Sequence, residues 1–195
     1  MAERVNDETR EGWLVRAAAA LAPLFEGIGR EVPPIRVSVG FPSRSPRRVV
    51  GQCWVAEASE DGVNQIFVTP IRGRGQTIEV LGTLLHEMIH AVDNCQSGHR
   101  GDYMRMARQL GMTAPWKTTT LGDELRERLV VLAEELGPFP NGAMQLEAAA
   151  AAGAKQTTRM LKIQCPDCEY TARTTAKWLE MGLPTCPCGT EMIQA

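Results

Sequence analysis

His86, His90 and His99 are the only histidines of the 195-residue chain, and all three fall within LLHEMIHAVDNCQSGHRGDYM, residues 84–104. His86-Glu87-Met88-Ile89-His90 has the form HExxH. On an α-helix, positions four apart lie about 40° apart around the axis and one turn apart along it. Two imidazoles so placed can grip one metal ion. Glu87, offset on the same side, suits a water beside that ion rather than the ion itself. These are the parts of metal-assisted hydrolysis: nitrogen ligands and a general base. Leu81, Leu84, Leu85, Met88 and Val92 gather at helical period on roughly the opposite side, which predicts an apolar packing face behind a metal-facing edge.

A catalytic zinc site needs a third protein ligand and an open fourth position. His99 is the unused imidazole, and Asp93, Asn94, Ser97 and Gly98 ahead of it are turn formers that let the chain double back. His99 is the favoured third ligand, with Asp93, Glu79 and Asp102 as rivals. A second donor set follows downstream: Cys165-Pro-Asp-Cys168, seventeen residues, then Cys186-Pro-Cys188-Gly189. Two close thiol pairs, each on a turn, can converge into a four-thiolate zinc site, although the second pair is one residue shorter than CxxC. Alternation in MLKIQ before the first pair and EYTAR after it predicts a β-hairpin, hence a zinc ribbon that relies on its ion to fold. The chain is therefore expected to carry two Zn²⁺ ions, one catalytic and one structural. Cys53 and Cys95 stand alone and read as small buried hydrophobes.

The elements that must position these donors follow from periodicity and chain breakers. Residues 12–28 read as an amphipathic helix, interrupted near Pro23 and ended by Gly27 and Gly29. Residues 35–40, 49–57 and 64–70 read as strands, and 71–75 (IRGRG) as a flexible loop. Helices are predicted over 76–94, 101–110 and 123–136, the last opened by Asp123 as a cap. GPFPNGAMQLEAAAAAGAKQTT, residues 137–158, has the composition of a linker. The fold class is α+β: a small antiparallel sheet packed with helices over 1–136, the linker over 137–158, and the ribbon over 159–195.

A net charge of −2 argues against a uniformly basic nucleic-acid binder. Arg44, Arg47 and Arg48, then Arg72 and Arg74, still form local clusters able to face a polyanion. In the ribbon, Lys162, Arg173, Lys177, Tyr170 and Trp178 are of types that contact and stack on nucleic acid, while Trp178, Leu179 and Leu183 serve equally well as a small core. No run approaches the roughly 20 apolar residues of a membrane helix. The first residues mix charges without the pattern of a secretion signal. A cytoplasmic location is the expectation, and there cysteines favour metal over disulfides.

HEMIHAVDNCQSGHRGDYM resembles the SprT/Spartan-like metalloproteases, which carry HExxH on a helix, a third histidine after a short loop and an aromatic residue shortly behind it. The matching positions are His86, Glu87, His90, His99 and Tyr103; Arg100 stands between His99 and Gly101, where the family often has Gly directly after the histidine. The metzincin pattern fails, since Asp93 and Gln96 occupy its Gly and His positions. The resemblance implies a zincin-like SprT domain followed by a zinc ribbon. It also implies a zinc-dependent endopeptidase acting on protein substrates, including proteins bound or crosslinked to DNA. Glu87 would then activate water, and Tyr103 would either stabilise the oxyanion or pack beneath the site. The rival expectation is a nucleic-acid- or transcription-associated zinc-binding regulatory protein with little or no catalysis.

Overall fold

The Thr9 hydroxyl accepts a hydrogen bond from the Gly12 backbone N–H (3.0 Å) and caps the first helix, α1 (Arg10–Glu26). The computed structural model to which it belongs describes residues 9–41, 43, 49–69, 76–118, 120–140, 142, 144 and 160–195. On α1, Trp13, Leu14, Ala17, Leu21 and Phe25 recur at three- and four-residue steps and are fully buried. Burial of each of the larger side chains stabilises the unit by roughly 1.5–3 kcal/mol. The helix runs through Pro23, where the sequence predicts an interruption. Proline removes one backbone donor there, and so close to the helix end little remains to be disrupted.

The strands β1 (Ile35–Val39), β2 (Gly51–Trp54) and β3 (Asn64–Val68) form one sheet in the order β1-β3-β2. β3 pairs antiparallel with β2 but parallel with β1, so the sheet is mixed rather than antiparallel as the sequence predicts. The physical reason is the connection over 40–50, long enough to carry the chain past one strand position. The tighter return over 55–63, through a 3₁₀ turn at Ala56–Ala58, then places β3 in the gap.

Helix α2 (Thr77–Val92) packs on β2, β3 and α1, and also contacts α3 (Gly101–Gln109) and α4 (Asp123–Leu136). Every residue from Val80 to Ile89 is buried, the edge that carries His86 and Glu87 included. Even His86 and Glu87 are only 6% exposed, and groups that polar must find partners inside. α4 is capped by Gly122, not Asp123. A Cβ at Gly122 would lie 2.7 Å from the Gly111 carbonyl oxygen, which instead accepts the Gly122 N–H at 2.9 Å. Asp123 falls in the first turn, where its charge favours the positive end of the helix dipole.

The chain divides into two units, Met1–Leu146 and Glu147–Ala195. The first extends past the predicted start of the linker. Trp13 Nε1 donates to the Gly137 carbonyl (3.1 Å), Arg10 Nε to that of Pro140 (3.1 Å), and the Phe139 N–H to Thr77 Oγ1 (3.0 Å). Phe139 sets its ring edge-on to Trp13 with centroids 5.2 Å apart, so 137–140 is a docked strap. The alanine-rich run, the IRGRG loop and Arg44, Arg47, Arg48, Arg72 and Arg74 lie outside the described residues.

In the second unit, β4 (Met160–Gln164), β5 (Thr171–Thr175) and β6 (Ile193–Gln194) form an antiparallel sheet in the order β5-β4-β6, with a short helix α5 (Ala176–Leu179) after β5. Its core is Ile163, Cys165, Cys186 and Met192, backed by Ala172 and Leu179. Trp178 is 56% exposed and Leu183 39%, so neither belongs to that core. No described helix is long and apolar enough to cross a membrane.

Candidate active site and metal centres

His86 and His90 stand one turn apart on α2, and the chain reverses directly after it. Asn94 (φ 48°) and Cys95 (φ 59°) enter the left-handed region, and the Cys95 N–H closes on the His90 carbonyl at 2.7 Å. The reversal delivers His99, whose Nε2 lies 3.1 Å from His86 Nε2 and 3.2 Å from His90 Nε2. A neutral imidazole has one N–H and one lone pair, so three nitrogens this close cannot all be satisfied by one another. Ligands held at 2.0–2.1 Å in a tetrahedron would be about 3.3–3.4 Å apart, near the observed spacings. The donor set therefore fits a small tetrahedral cation. The rival ligands are otherwise placed. Asp102 accepts from Arg30 (2.8 and 3.0 Å) and Arg105 (2.8 Å). Asp93 Oδ2 accepts from the Ser97 N–H at 3.1 Å. Glu79 lines the cleft without joining the imidazole cluster.

Tyr103, fully buried on the first turn of α3, touches all three rings. Its centroid lies 5.2, 4.4 and 5.0 Å from those of His86, His90 and His99, stacked on His90 at 27°. Its Oη is 2.6 Å from His86 Nδ1. For His86 Nε2 to offer its lone pair, Nδ1 must carry the proton and donate it to that oxygen, an outer partner that fixes the tautomer. Burial, reinforced by Glu87 and Asp93, holds the phenol well above its ordinary range, so it stays neutral. The hydroxyl is committed to His86 and Tyr103 does not line the cleft. In this geometry Tyr103 holds the imidazoles in place, His86 above all. Burial also pushes His86 down to about 3 and His90 down to about 4, and it lowers His99 with help from Lys117. All three imidazoles are thus held neutral, as metal binding requires.

Glu87 is buried beside this cluster and faces β2. A Cβ at Gly51 would meet Glu87 Oε1 and Thr83 Cγ2, each at 2.7 Å, so only glycine lets the strand lie this close. Burial pushes the Glu87 carboxyl up to about 8, against a smaller opposing pull from the Cys53 backbone N–H. A base so tuned is matched to proton transfer near neutral pH. The cleft holds about 830 Å³ and is walled by β2, the three histidines, Glu87, Lys117 and Arg126. Gly51, Lys117 and Arg126 carry no local signal in the sequence; only the approach of distant segments brings them here.

Cys53 and Cys95 also line the cleft, and they are not isolated hydrophobes. Both are half-buried, and Cys95 Sγ lies 3.7 Å from the Cys53 carbonyl oxygen while Cys53 Sγ lies 3.6 Å from that of Trp54. They are 42 residues apart in the chain, a separation that no spacing pattern reveals.

In the second unit, Cys165 Sγ lies 3.5 Å from Cys188 Sγ, and Cys168 Sγ lies 3.4 Å from Cys186 Sγ. Four sulfurs at 2.3 Å from a tetrahedral ion would be about 3.8 Å apart, so this cluster also suits metal. Each pair sits on a tight turn. The Glu169 N–H returns to Cys165 O (3.1 Å) with Glu169 at φ 61°, and the Gly189 N–H to Cys186 O (2.8 Å) with Gly189 at φ 94°. The shortened Cys-Pro-Cys spacing therefore still converges. The backbone N–H of Thr190, followed by its side chain, pulls the Cys188 thiol down to about 6, toward the thiolate a metal binds. No family model, curated protein or solved structure matches the chain.

Proposed function

We propose that the chain is a zinc-dependent endopeptidase of the SprT-like kind, a zincin-like catalytic unit followed by a zinc ribbon. The observation that carries this reading is the convergence of three imidazole Nε2 atoms beside a buried carboxylate on the wall of an open cleft. His86, His90 and His99 would hold the ion and leave a fourth position free, while Cys165, Cys168, Cys186 and Cys188 would hold a structural ion with none free. When bound, zinc polarises a peptide carbonyl and acidifies the attacking water. Glu87 accepts the water's proton at its carboxylate and passes it to the departing amine. Tyr103 keeps His86 in the ligating tautomer. Among the described residues β2 is an edge strand of its sheet, and it walls the cleft, which would seat an extended polypeptide alongside it.

Substrate delivery falls to the ribbon in this reading. Tyr170 and Trp178 are 51% and 56% exposed, Lys177 Nζ lies 5.1 Å over the Trp178 ring, and Lys162 and Arg173 lie opposite one another on β4 and β5. These groups support contact with nucleic acid, and hence cytoplasmic work on DNA-associated proteins. The regulatory alternative leaves Glu87 without a purpose, because a purely structural site has no use for a buried base.

Casein cleavage and self-cleavage by zinc-loaded wild type and Glu87→Gln, with and without DNA, test the proposal. Cleavage by wild type alone, at equal metal content, is the expected result. If neither protein cleaves while both hold equal zinc, the hydrolase reading falls and the regulatory one replaces it. Metal content should be about two zinc per chain and about one in His86→Ala.

A further inference from the structure

We propose that Cys53 and Cys95 form an oxidisable dithiol in the wall of the cleft, a modification site that takes a hydroperoxide and yields a Cys53–Cys95 disulfide. Three observations carry this. The two side chains are neighbours: Cys95 Sγ reaches the Cys53 carbonyl oxygen at 3.7 Å, and Cys53 Sγ reaches the adjacent Trp54 carbonyl at 3.6 Å. Both residues are only half-buried and open to the cleft, so a small oxidant can reach them. Their approach is also held in place. Asn94 Oδ1 accepts from the Ala56 N–H (2.8 Å) and from Asn64 Nδ2 (3.0 Å), and Asn94 Nδ2 donates to both carboxylate oxygens of Glu57 (3.0 and 2.9 Å). Asn64 Nδ2 also donates to the Trp54 carbonyl (3.0 Å), so the turn carrying Cys95 is fastened to the chain just beyond Cys53. Cys95 keeps φ 59°, uncommon for cysteine, and surrounding contacts must hold it there.

The chemistry balances in two steps. One sulfur attacks the peroxide: an S–O bond forms, the O–O bond breaks, and the thiol proton leaves with the released alcohol or water. The second sulfur then displaces the sulfenic oxygen: an S–S bond forms, the S–O bond breaks, and water departs with the second thiol proton. The two thiols lose two electrons and the peroxide gains them.

Both cysteines are wired to the candidate machinery through their backbones. The Cys53 N–H acts on the Glu87 carboxyl, and the Cys95 N–H donates to the His90 carbonyl at 2.7 Å. Drawing the sulfurs together to a bond of about 2.05 Å pulls β2 and the turn inward, shifting the base relative to the three histidines. Oxidation therefore slows hydrolysis reversibly. That consequence rests on the hydrolase reading; the crosslink does not.

The test treats the full, zinc-loaded chain with hydrogen peroxide, then maps peptides without reduction and counts alkylatable thiols. The expected result is a Cys53–Cys95 linked peptide pair and two fewer free thiols, reversed by dithiothreitol, with zinc retained and no such pair in Cys95→Ser. Separate sulfinic acids at the two positions, or crosslinks confined to the ribbon cysteines, would overturn the proposal. Casein cleavage, followed in parallel, should fall about tenfold or more on oxidation of wild type and hold steady in Cys95→Ser. A crosslink without loss of cleavage removes the control of activity and keeps the dithiol. If the reduced protein never cleaves, the hydrolase reading fails and peptide mapping alone decides the dithiol.

Discussion

In the first unit two of the three imidazoles are mounted on a helix already packed by Leu81, Leu84, Leu85 and Met88, each fully buried, with Trp13, Phe25 and Ile66 filling the same core, and the third is on the turn that follows it. In the second unit the ligands are themselves the core: Cys165 and Cys186 supply two of its four buried residues. The first unit has an apolar interior that does not depend on an ion, so its cluster can keep one coordination position open. The second buries little apolar surface, so an ion held by all four thiols would supply what its core lacks. An open site and a closed site thus differ in what else holds the surrounding chain together.

The largest expected effect breaks the second site alone. Cys165→Ser should release the ribbon zinc and unfold 160–195, a loss on the order of 10 kcal/mol of metal-coupled folding, read as lost amide protection there with none lost in α1 and α2. Chelation of the histidine site should leave the first unit folded; melting of α2 on chelation would erase the distinction. Next, Glu87→Gln should lower hydrolysis by about 10²–10⁴ while pocket zinc, measured by elemental analysis, stays constant. Tyr103→Phe should weaken zinc binding at the pocket by about 10–100-fold without touching the ribbon, because only His86 loses its outer partner. The smallest effect is one of pH on the metal-free first unit. His86 and His90 are lowered from 6.5 to about 3 and about 4, so between those values and 6.5 the unfolded chain binds more protons. In Glu87→Gln, which removes the opposing titration of the raised carboxyl, stability should be full above pH 6.5 and decline as pH falls toward 4 and then 3, measured as a falling urea midpoint. A midpoint that rises over that window would contradict the neutral, buried imidazoles.

The parts legible in the sequence are those written locally. HExxH, the turn formers ahead of His99 and the two cysteine pairs each lie within a short window, and the structure brings each set together. The helices over 77–92, 101–109 and 123–136 are legible for the same reason, since an apolar repeat is a local pattern. The parallel pairing of β1 with β3 depends on where a connection lets a later strand insert, which no residue along 40–50 encodes by type. Lys117, Arg126 and the Cys53–Cys95 contact are equally non-local. Tyr103 shows a further limit: its proximity to His99 was legible, but its role turns on which nitrogen its hydroxyl meets. Gly122 took the cap position from Asp123 because the Gly111 carbonyl left no room for a side chain.

The strap at 137–140 decides where the first unit can be cut from the rest. A chain stopped at Leu136 would strip the indole of Trp13 of its carbonyl acceptor, leave the Arg10 guanidinium and Thr77 hydroxyl without those partners, and uncover an aromatic pair. A chain carried beyond Pro140 keeps them. Trp13 is fully buried whereas Trp54 and Trp178 are exposed and Trp116 is partly buried, so in Trp116→Phe a red shift in emission would report the moment that short tail lifts away.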